Sequence, residues 1–296
     1  VTEYRYDALG QRSTVLQHSA IYDMTALVAS DPDNAGMSAW AARQNASAAQ
    51  RTDLRYDARG QLSQSTTYDT LDAAGNGEPA GAVSLHYVYD QAGLLLKRIA
   101  GNGDVSTYVY DGLGRVIAEE SKGQLSTTRY DDAGNSVITT AANGLSSTRV
   151  FDAAGRLISV TQSSANVALG TTRYTYDAAG RLTATIDPLG NRQRSLYDAA
   201  GRKIADIDAR GAWTEYSYNR AGQLTRTRAY ATATDAALLS RHDQDLPAAL
   251  SALRPAATAA DHVAWRTYDS AGRLSKEINA LGAVSAMRYD CLLYTS

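Results

Sequence analysis

The sequence predicts an all-β protein made of repetitive antiparallel β-hairpins, and three observations carry that prediction. An opening of the form Tyr-Asp-x-x-Gly recurs at a spacing near 21 residues. Each period holds two turn signals, and the segments between turns alternate apolar and polar residues. The stretch 176–197, YDAAGRLTATIDPLGNRQRSLY, shows all three features and then begins again with YDAAGRK. Ten openings run complete through the glycine, at Tyr6, Tyr56, Tyr89, Tyr110, Tyr130, Phe151, Tyr176, Tyr197, Tyr218 and Tyr268, and an eleventh starts at Tyr289.

Within the unit at 176–197 the first turn is Asp177-Ala178-Ala179-Gly180 and the second is Asp187-Pro188-Leu189-Gly190. Asp first and Gly fourth fit a type I turn closed by a left-handed glycine, and Pro188 suits a φ near about −65°. Strands of about five to six residues remain between the turns. Strict alternation puts Leu182, Ala184 and Ile186 on one face and Arg181, Thr183 and Thr185 on the other. With 178–180 as the loop, Asp177 lies opposite Arg181 and Tyr176 opposite Leu182. Tyr174, Tyr176 and Leu182 are then expected on an apolar face, and the Asp and Arg pair on an exposed polar one. Burying a Tyr or Leu contributes about 1.5–3 kcal/mol, whereas an exposed ion pair contributes about 0–1 kcal/mol. Tyr and Leu are therefore assigned to packing, and Asp and Gly to turn geometry. The residues that carry the repeat are Tyr110, Asp111 and Gly114; Tyr176, Asp177, Gly180 and Arg181; Tyr197, Asp198 and Gly201; Tyr218 and Gly222; and Tyr268, Asp269 and Gly272.

In chain order, the array occupies 1–290 with two insertions, at about 24–52 and 231–264. The first follows Tyr22-Asp23, which lacks its glycine, and contains the turn cluster 31–36 and an Ala-rich run from Met37 to Arg51. That composition favours helix, with Ser38 as a cap, and a short helix or an ordered loop is expected between the strands. Leu71 to Ala82 reads as a loop, with Gly75, Gly77, Gly81 and Pro79. From Tyr89 to Tyr218 the intervals are 21, 20, 21, 25, 21 and 21 residues, and the long one holds Ser163–Asn166, expected as an extended hairpin tip. The second insertion carries Asp245 ahead of Pro247 and ends its apolar run at Pro255, the start and stop signals of a short helix. Residues 291–296 abandon the pattern and are read as a non-repeat tail foreign to the native chain. The whole is expected to be an internal stretch of a longer protein.

Two strands per unit over ten units give on the order of twenty strands, and at about 4.8 Å each a ribbon roughly 95 Å long. Twisted open sheets rarely pass about ten strands without curling, so the ribbon is expected to be strongly curved. Twenty-nine basic against 31 acidic residues leave a formal net charge of −2, which argues against nucleic acid as a partner. Nineteen Tyr against one Phe follow from the repeat, and a single Cys excludes an internal disulfide framework. No apolar run is long enough to predict a membrane-spanning helix.

A Tyr-Asp-x-x-Gly-Arg-Leu opening repeated near every 21 residues resembles the YD repeat of the RHS repeat proteins, a family that includes bacterial polymorphic toxins, toxin-complex shell proteins and the animal teneurins. The resemblance implies a spiralling β-sheet forming part of a hollow shell around a toxic C-terminal domain of the same polypeptide. It also implies a secreted or bacterial cell-surface protein whose partners are further repeats and that enclosed domain. In that family the array ends in a core carrying Asp-Pro-x-Gly, where the C-terminal domain is released by self-cleavage. Asp187-Pro188-Leu189-Gly190 matches those four residues, but repeats in register follow it, and a hairpin turn is expected.

Catalytic, cofactor and metal sites are all expected to be absent. His18, His86, His242 and His262 lack the context of a triad or a metal site and read as structural or solvated. The carboxylates are mostly turn aspartates repeated ten times, a poor basis for catalysis. Gly75-Asn76-Gly77 and Gly101-Asn102-Gly103-Asp104 fit neither calcium-loop spacing and read as turns. The leading expectation is a non-catalytic structural segment. The alternative is a surface adhesin that binds carbohydrate, since the family is also linked to sugars and rows of Tyr can stack on sugar rings; exposed Tyr110, Tyr176 and Tyr218 would favour it.

Overall fold

The computed structural model describes residues 1–20, 34–165, 167–235, 238–239 and 251–289. The chain divides into two compact units, one of Val1–Arg129 with Thr139–Asn143 and one of Tyr130–Ile138 with Gly144–Ser296.

In the first unit the strands are β1 (Thr2–Tyr6), β2 (Arg12–Gln17), β3 (Gln50–Tyr56), β4 (Leu62–Tyr68), β5 (Val83–Tyr89), β6 (Leu95–Ala100), β7 (Val105–Tyr110), β8 (Val116–Ser121) and β9 (Gln124–Asp131). Each pairs antiparallel with its sequence neighbour. The chain changes unit within β9 and again within β10 (Ser136–Thr140). The second unit continues with β11 (Leu145–Phe151), β12 (Leu157–Ser164), β13 (Val167–Tyr176), β14 (Leu182–Ile186), β15 (Arg192–Tyr197), β16 (Lys203–Ile207), β17 (Trp213–Tyr218), β18 (Leu224–Ala229), β19 (His262–Tyr268), β20 (Leu274–Ile278) and β21 (Val284–Ala286). From β11 to β21 every neighbouring pair is again antiparallel. The all-β hairpin array expected from the sequence is what the chain forms.

The expected turn registers are present, with Tyr176 opposite Leu182, Gly180 N–H donating to the Asp177 carbonyl at 3.0 Å and Asp177 N–H to the Arg181 carbonyl at 3.0 Å. Gly180 has φ of 81°, a conformation costly for a residue with a Cβ. The Tyr130 opening departs from this pattern: there the left-handed residue is Asn135, with φ of 45°, instead of Gly134. Asp187-Pro188-Leu189-Gly190 is a hairpin turn, closed by Gly190 N–H to the Asp187 carbonyl at 3.0 Å. The long interval does extend its hairpin: β12 and β13 reach 8 and 10 residues, and Ala165 takes φ of 47° at the tip.

The expected faces need correction. In the 176–197 unit the register passes from Tyr176–Leu182 to Thr175–Ala184, leaving Thr183 as an extra residue. A shift at the same place, just before the repeated aromatic, occurs in eight further hairpins. Because the side-chain period is two, this bulge moves Ala184 and Ile186 to the face opposite Leu182. Tyr174 lies opposite Thr185 and, two residues from Tyr176, stays on the face of Tyr176 and Leu182 as expected.

Both insertions replace a second turn and leave the meander intact, since Gln17 pairs with Gln50 and Ala229 with His262. β3 and β19 start at Gln50 and His262, slightly before the expected insertion ends at 52 and 264. The first insertion forms α1 (Asn34–Ala41) and a 3-10 turn at Ala46–Ala48, which Asn45 caps by accepting from Ser47 N–H at 3.2 Å. The expected helix from Met37, capped by Ser38, is thus shifted and shortened, with Ser38 inside α1. Helix propensity is a weak prior. Here packing decides: Ala49 is buried with Leu16 and Leu71, and Trp40 meets His18 edge-on at 5.7 Å. Residues 21–33, the first half of the second insertion's expected helix at 245–250, and the tail 291–296 lie outside the described residues.

The larger core belongs to the second unit: Leu196, Ala205, Ile207, Trp213, Tyr230 and Leu239, with Ile204 and Leu253 packed against it. Trp213 and Ile207 are fully enclosed, each contributing about 1.5–3 kcal/mol by burial. Leu196 directly precedes Tyr197, so this core lies on the face opposite the repeated tyrosines. Leu239 and Leu253 bring the second insertion over that face.

Candidate functional site

The residues that recur are also the residues that join one repeat to the next. In the hairpin at 177–181, Asp177 Oδ1 accepts the backbone N–H groups of Ala179 and Arg181, at 3.0 and 2.9 Å, and Oδ2 accepts from Arg181 Nε at 2.6 Å. The guanidinium then crosses to the following repeat. It lies over the Tyr197 ring, 4.9 Å from the centroid, and donates through Nη1 to the Asp198 carbonyl at 3.0 Å. The Tyr197 hydroxyl answers in the other direction, donating to the Leu182 carbonyl at 2.9 Å. The β14–β15 ladder ends at Ala184–Arg194. Leu182 is beyond it, and the tyrosine hydroxyl supplies its carbonyl with the partner that a main-chain amide would otherwise provide.

The same arrangement recurs. Arg156 lies over Tyr176 at 5.0 Å and Arg202 over Tyr218 at 4.9 Å, and their Nη1 groups reach the carbonyls of Asp177 and Asn219 at 3.3 and 3.4 Å. Hydroxyl bonds run from Tyr89 to Leu62, Tyr110 to Leu95, Tyr176 to Leu157, Tyr218 to Lys203, Tyr268 to Leu224 and Tyr289 to Leu274, between 2.7 and 3.0 Å. Arg273 pairs with Asp269 and lies over Tyr289 at 4.5 Å. Where the arginine is replaced by glutamine, a neutral version serves: Gln223 takes the Asn219 side chain and donates to the Gly272 carbonyl at 2.9 Å.

Asp and Arg therefore do not lie apart from the aromatic residues on a polar face. Arginine is the element linking successive tyrosines, which the sequence assignment to packing and turn geometry missed. The available signal was Arg directly after five of the ten opening glycines, at Arg115, Arg156, Arg181, Arg202 and Arg273, one period ahead of an aromatic. The Asp198 carboxyl is held below the usual carboxylate range chiefly by the Arg202 backbone N–H, against the opposing effect of burial, with the guanidinium adding to it. Gly114, Gly201, Gly222 and Gly272 each take positive φ at their turns, from 75° to 82°.

Tyr110, Tyr176 and Tyr218 are half-buried. Their hydroxyls are engaged by carbonyls, and the rings of Tyr176 and Tyr218 each lie beneath a guanidinium. Stacking on a sugar needs an open ring face, and this arrangement does not favour it.

Elsewhere the described residues assemble no reacting constellation. Ser195 Oγ donates to Asp206 Oδ1 at 2.6 Å, and Asp206 Oδ2 accepts from the Tyr216 hydroxyl at 2.9 Å. Burial, then the Asp206 hydrogen bond, push the Tyr216 hydroxyl up to about 12, so it remains a donor. His18 is enclosed between Glu3 and Trp40, His86 and His262 are exposed, and His242 lies outside the described residues. Among the described residues no group of three His, Cys, Asp or Glu is placed to hold a metal ion. In the two glycine-rich pieces, Asp72 accepts from Ala74 and Asn76 N–H within a turn, and Asp104 pairs with Lys122 at 2.9 Å. No described helix is long and apolar enough to cross a membrane, which says nothing of crossing by strands.

Residues 151–192 match the family model described as RHS Repeat. The unit is an RHS repeat. No curated protein matches the sequence. Among solved structures, the chain is similar to that titled "Crystal Structure of TcdB2-TccC3 without hypervariable C-terminal region", with 16% identity, a TM-score of 0.53, and coverage of 98% of this chain and 16% of that one. The structure of a Photorhabdus luminescens Tc holotoxin pore aligns at 15% identity and a TM-score of 0.40, over 97% of this chain and 19% of the other. The first likeness shows that this chain shares a fold with part of that TcdB2-TccC3 structure. The chain spans less than a quarter of the length of either structure.

Proposed function

We propose that the chain is a non-catalytic wall segment of an RHS repeat protein, a β-sheet that encloses or displays a C-terminal domain of the same polypeptide. The observation that carries this reading is the ladder itself. Asp is spent on its own turn and on holding the Arg, and Arg and Tyr on the neighbouring repeat, so among the described residues the recurrent chemistry goes into making the array continuous. The likeness to a TcdB2-TccC3 component named as lacking a hypervariable C-terminal region supports an enclosed or displayed domain as the partner. In this reading the ribbon winds into a spiral wall, as open sheets of more than about ten strands tend to curl. Secretion or display on the bacterial surface follows from the same reading, and the balanced charge speaks against nucleic acid as a partner.

The test uses the full-length polypeptide that contains this chain. Under limited proteolysis followed by mass spectrometry, its C-terminal domain should survive a protease concentration that digests the same domain produced alone. Digestion of both at the same rate would overturn the proposal.

A further inference from the structure

Beside the second unit's core, three arginines converge on an open cleft of about 420 Å³ lined by Glu215, Tyr230, Pro255 and Ala256 as well as Arg226, Arg228 and Arg254. Arg226 and Arg228 are two apart on β18 and so share a face, while Arg254 comes from the returning end of the insertion. The charges do not cancel. Glu215 is shared between Arg254 at 2.7 Å, Arg226 at 3.7 Å and the Tyr230 hydroxyl at 2.7 Å, and Asp261 pairs with Arg228 at 3.2 Å, leaving three guanidiniums against two carboxylates. Arg226 also donates to Ser217 Oγ at 2.9 Å.

A guanidinium has five N–H donors, and much of this capacity is unspent. The Nε groups of both Arg226 and Arg228 are buried without a hydrogen-bond partner among the described residues, while the side chains keep 26% and 17% exposure through which their terminal nitrogens can meet a ligand. Buried donors are normally satisfied, and a pair of orphans beside one cleft requires an explanation. Both guanidiniums are also braced, Arg226 over the Trp265 ring at 5.6 Å and Arg228 over the Tyr230 ring at 5.8 Å. A ligand arriving there would find them already ordered, which lowers the cost of binding. Planar forks of this kind suit the several oxygens of a phosphate better than a single-point acceptor.

We propose that this cleft binds a phosphate-type dianion, either free phosphate or the phosphoryl group of a phosphomonoester. The site is independent of the wall function, because it uses none of the ladder residues.

Isothermal titration calorimetry of the chain with inorganic phosphate and with glycerol 2-phosphate, at constant ionic strength, tests it. The proposal expects one saturable site, weakened about tenfold or more in Arg254→Gln and in Arg226→Gln, as loss of a charge-assisted hydrogen bond requires. Arg254 is half-exposed, so its variant is expected to keep the wild-type circular dichroism spectrum. Binding of phosphate alone identifies the free ion as the ligand; binding of both identifies a phosphoryl group on a larger molecule. No saturable binding of either, or unchanged affinity in both folded variants, would overturn the proposal.

Discussion

The Asp198 carboxylate accepts the Arg202 backbone N–H and Arg202 Nε, at 2.9 and 2.8 Å, and the same two bonds recur at Asp111, Asp152 and Asp269. In all four the backbone N–H is the chief cause holding the carboxyl low, burial opposes it, and the guanidinium assists. A carboxyl depressed in the folded state stabilises fully above its unfolded value of about 3.9 and loses that contribution as pH falls through the folded value. The thermal midpoint should therefore be insensitive to these groups from about pH 5 to 7 and fall below about pH 4. Asn219 shows that a neutral amide fits the turn, accepting from Gln223 N–H at 3.0 Å. Asp198→Asn should lower the midpoint at neutral pH, with the deficit shrinking as pH falls below the unfolded value of about 3.9; midpoints measured by circular dichroism that stay parallel from pH 2 to 7 would contradict the assignment. At this scale the sequence was readable wherever the interaction is local. Asp177 and Gly180 announce their turn because its whole chemistry lies within five residues. Arg181 does not announce its second role, because Tyr197 is sixteen residues away and only the paired strands bring them together.

Between elements, stability rests on contacts that cross from one hairpin to the next. Arg181 touches Asp177, the Tyr197 ring and the Asp198 carbonyl, so its loss should be felt in both hairpins. A double-mutant cycle with Arg181→Ala and Tyr197→Leu, measured by urea unfolding, should give a coupling of about 0.5–1 kcal/mol, the size of a cation–π pair. Strictly additive effects would show that the ring and guanidinium do not interact. The hairpins and their turn registers were legible in the sequence, since spacing and turn residues specify both. The bulge was not: Thr183 differs in no obvious way from a paired strand residue, yet it transfers Ala184 and Ile186 to the other face. The short helix of the first insertion was legible, but its bounds were not, because Trp40 and Ala49 are positioned by contacts with His18, Leu16 and Leu71.

For the molecule as a whole, a repeat array owes its stability to each unit and to the interface with the next. The sequence conveyed that organisation through its period, and it also revealed that two stretches interrupt it. It could not convey that the second stretch covers a core of Leu196, Ile207 and Trp213, because burial there depends on Leu239 and Leu253 returning over one sheet face. Nor could residue types alone identify Arg226, Arg228 and Arg254 as neighbours across an insertion. The central claim is that Tyr, and Arg where it is present and held by Asp, couple one repeat to the one beside it. Native-state hydrogen exchange on the wild-type chain and Arg181→Ala tests this most directly. The ladder predicts faster exchange across β13 to β16, fading to the wild-type rate by β19 to β21. Acceleration confined to the 177–181 turn, with β15 and β16 unchanged, would contradict it.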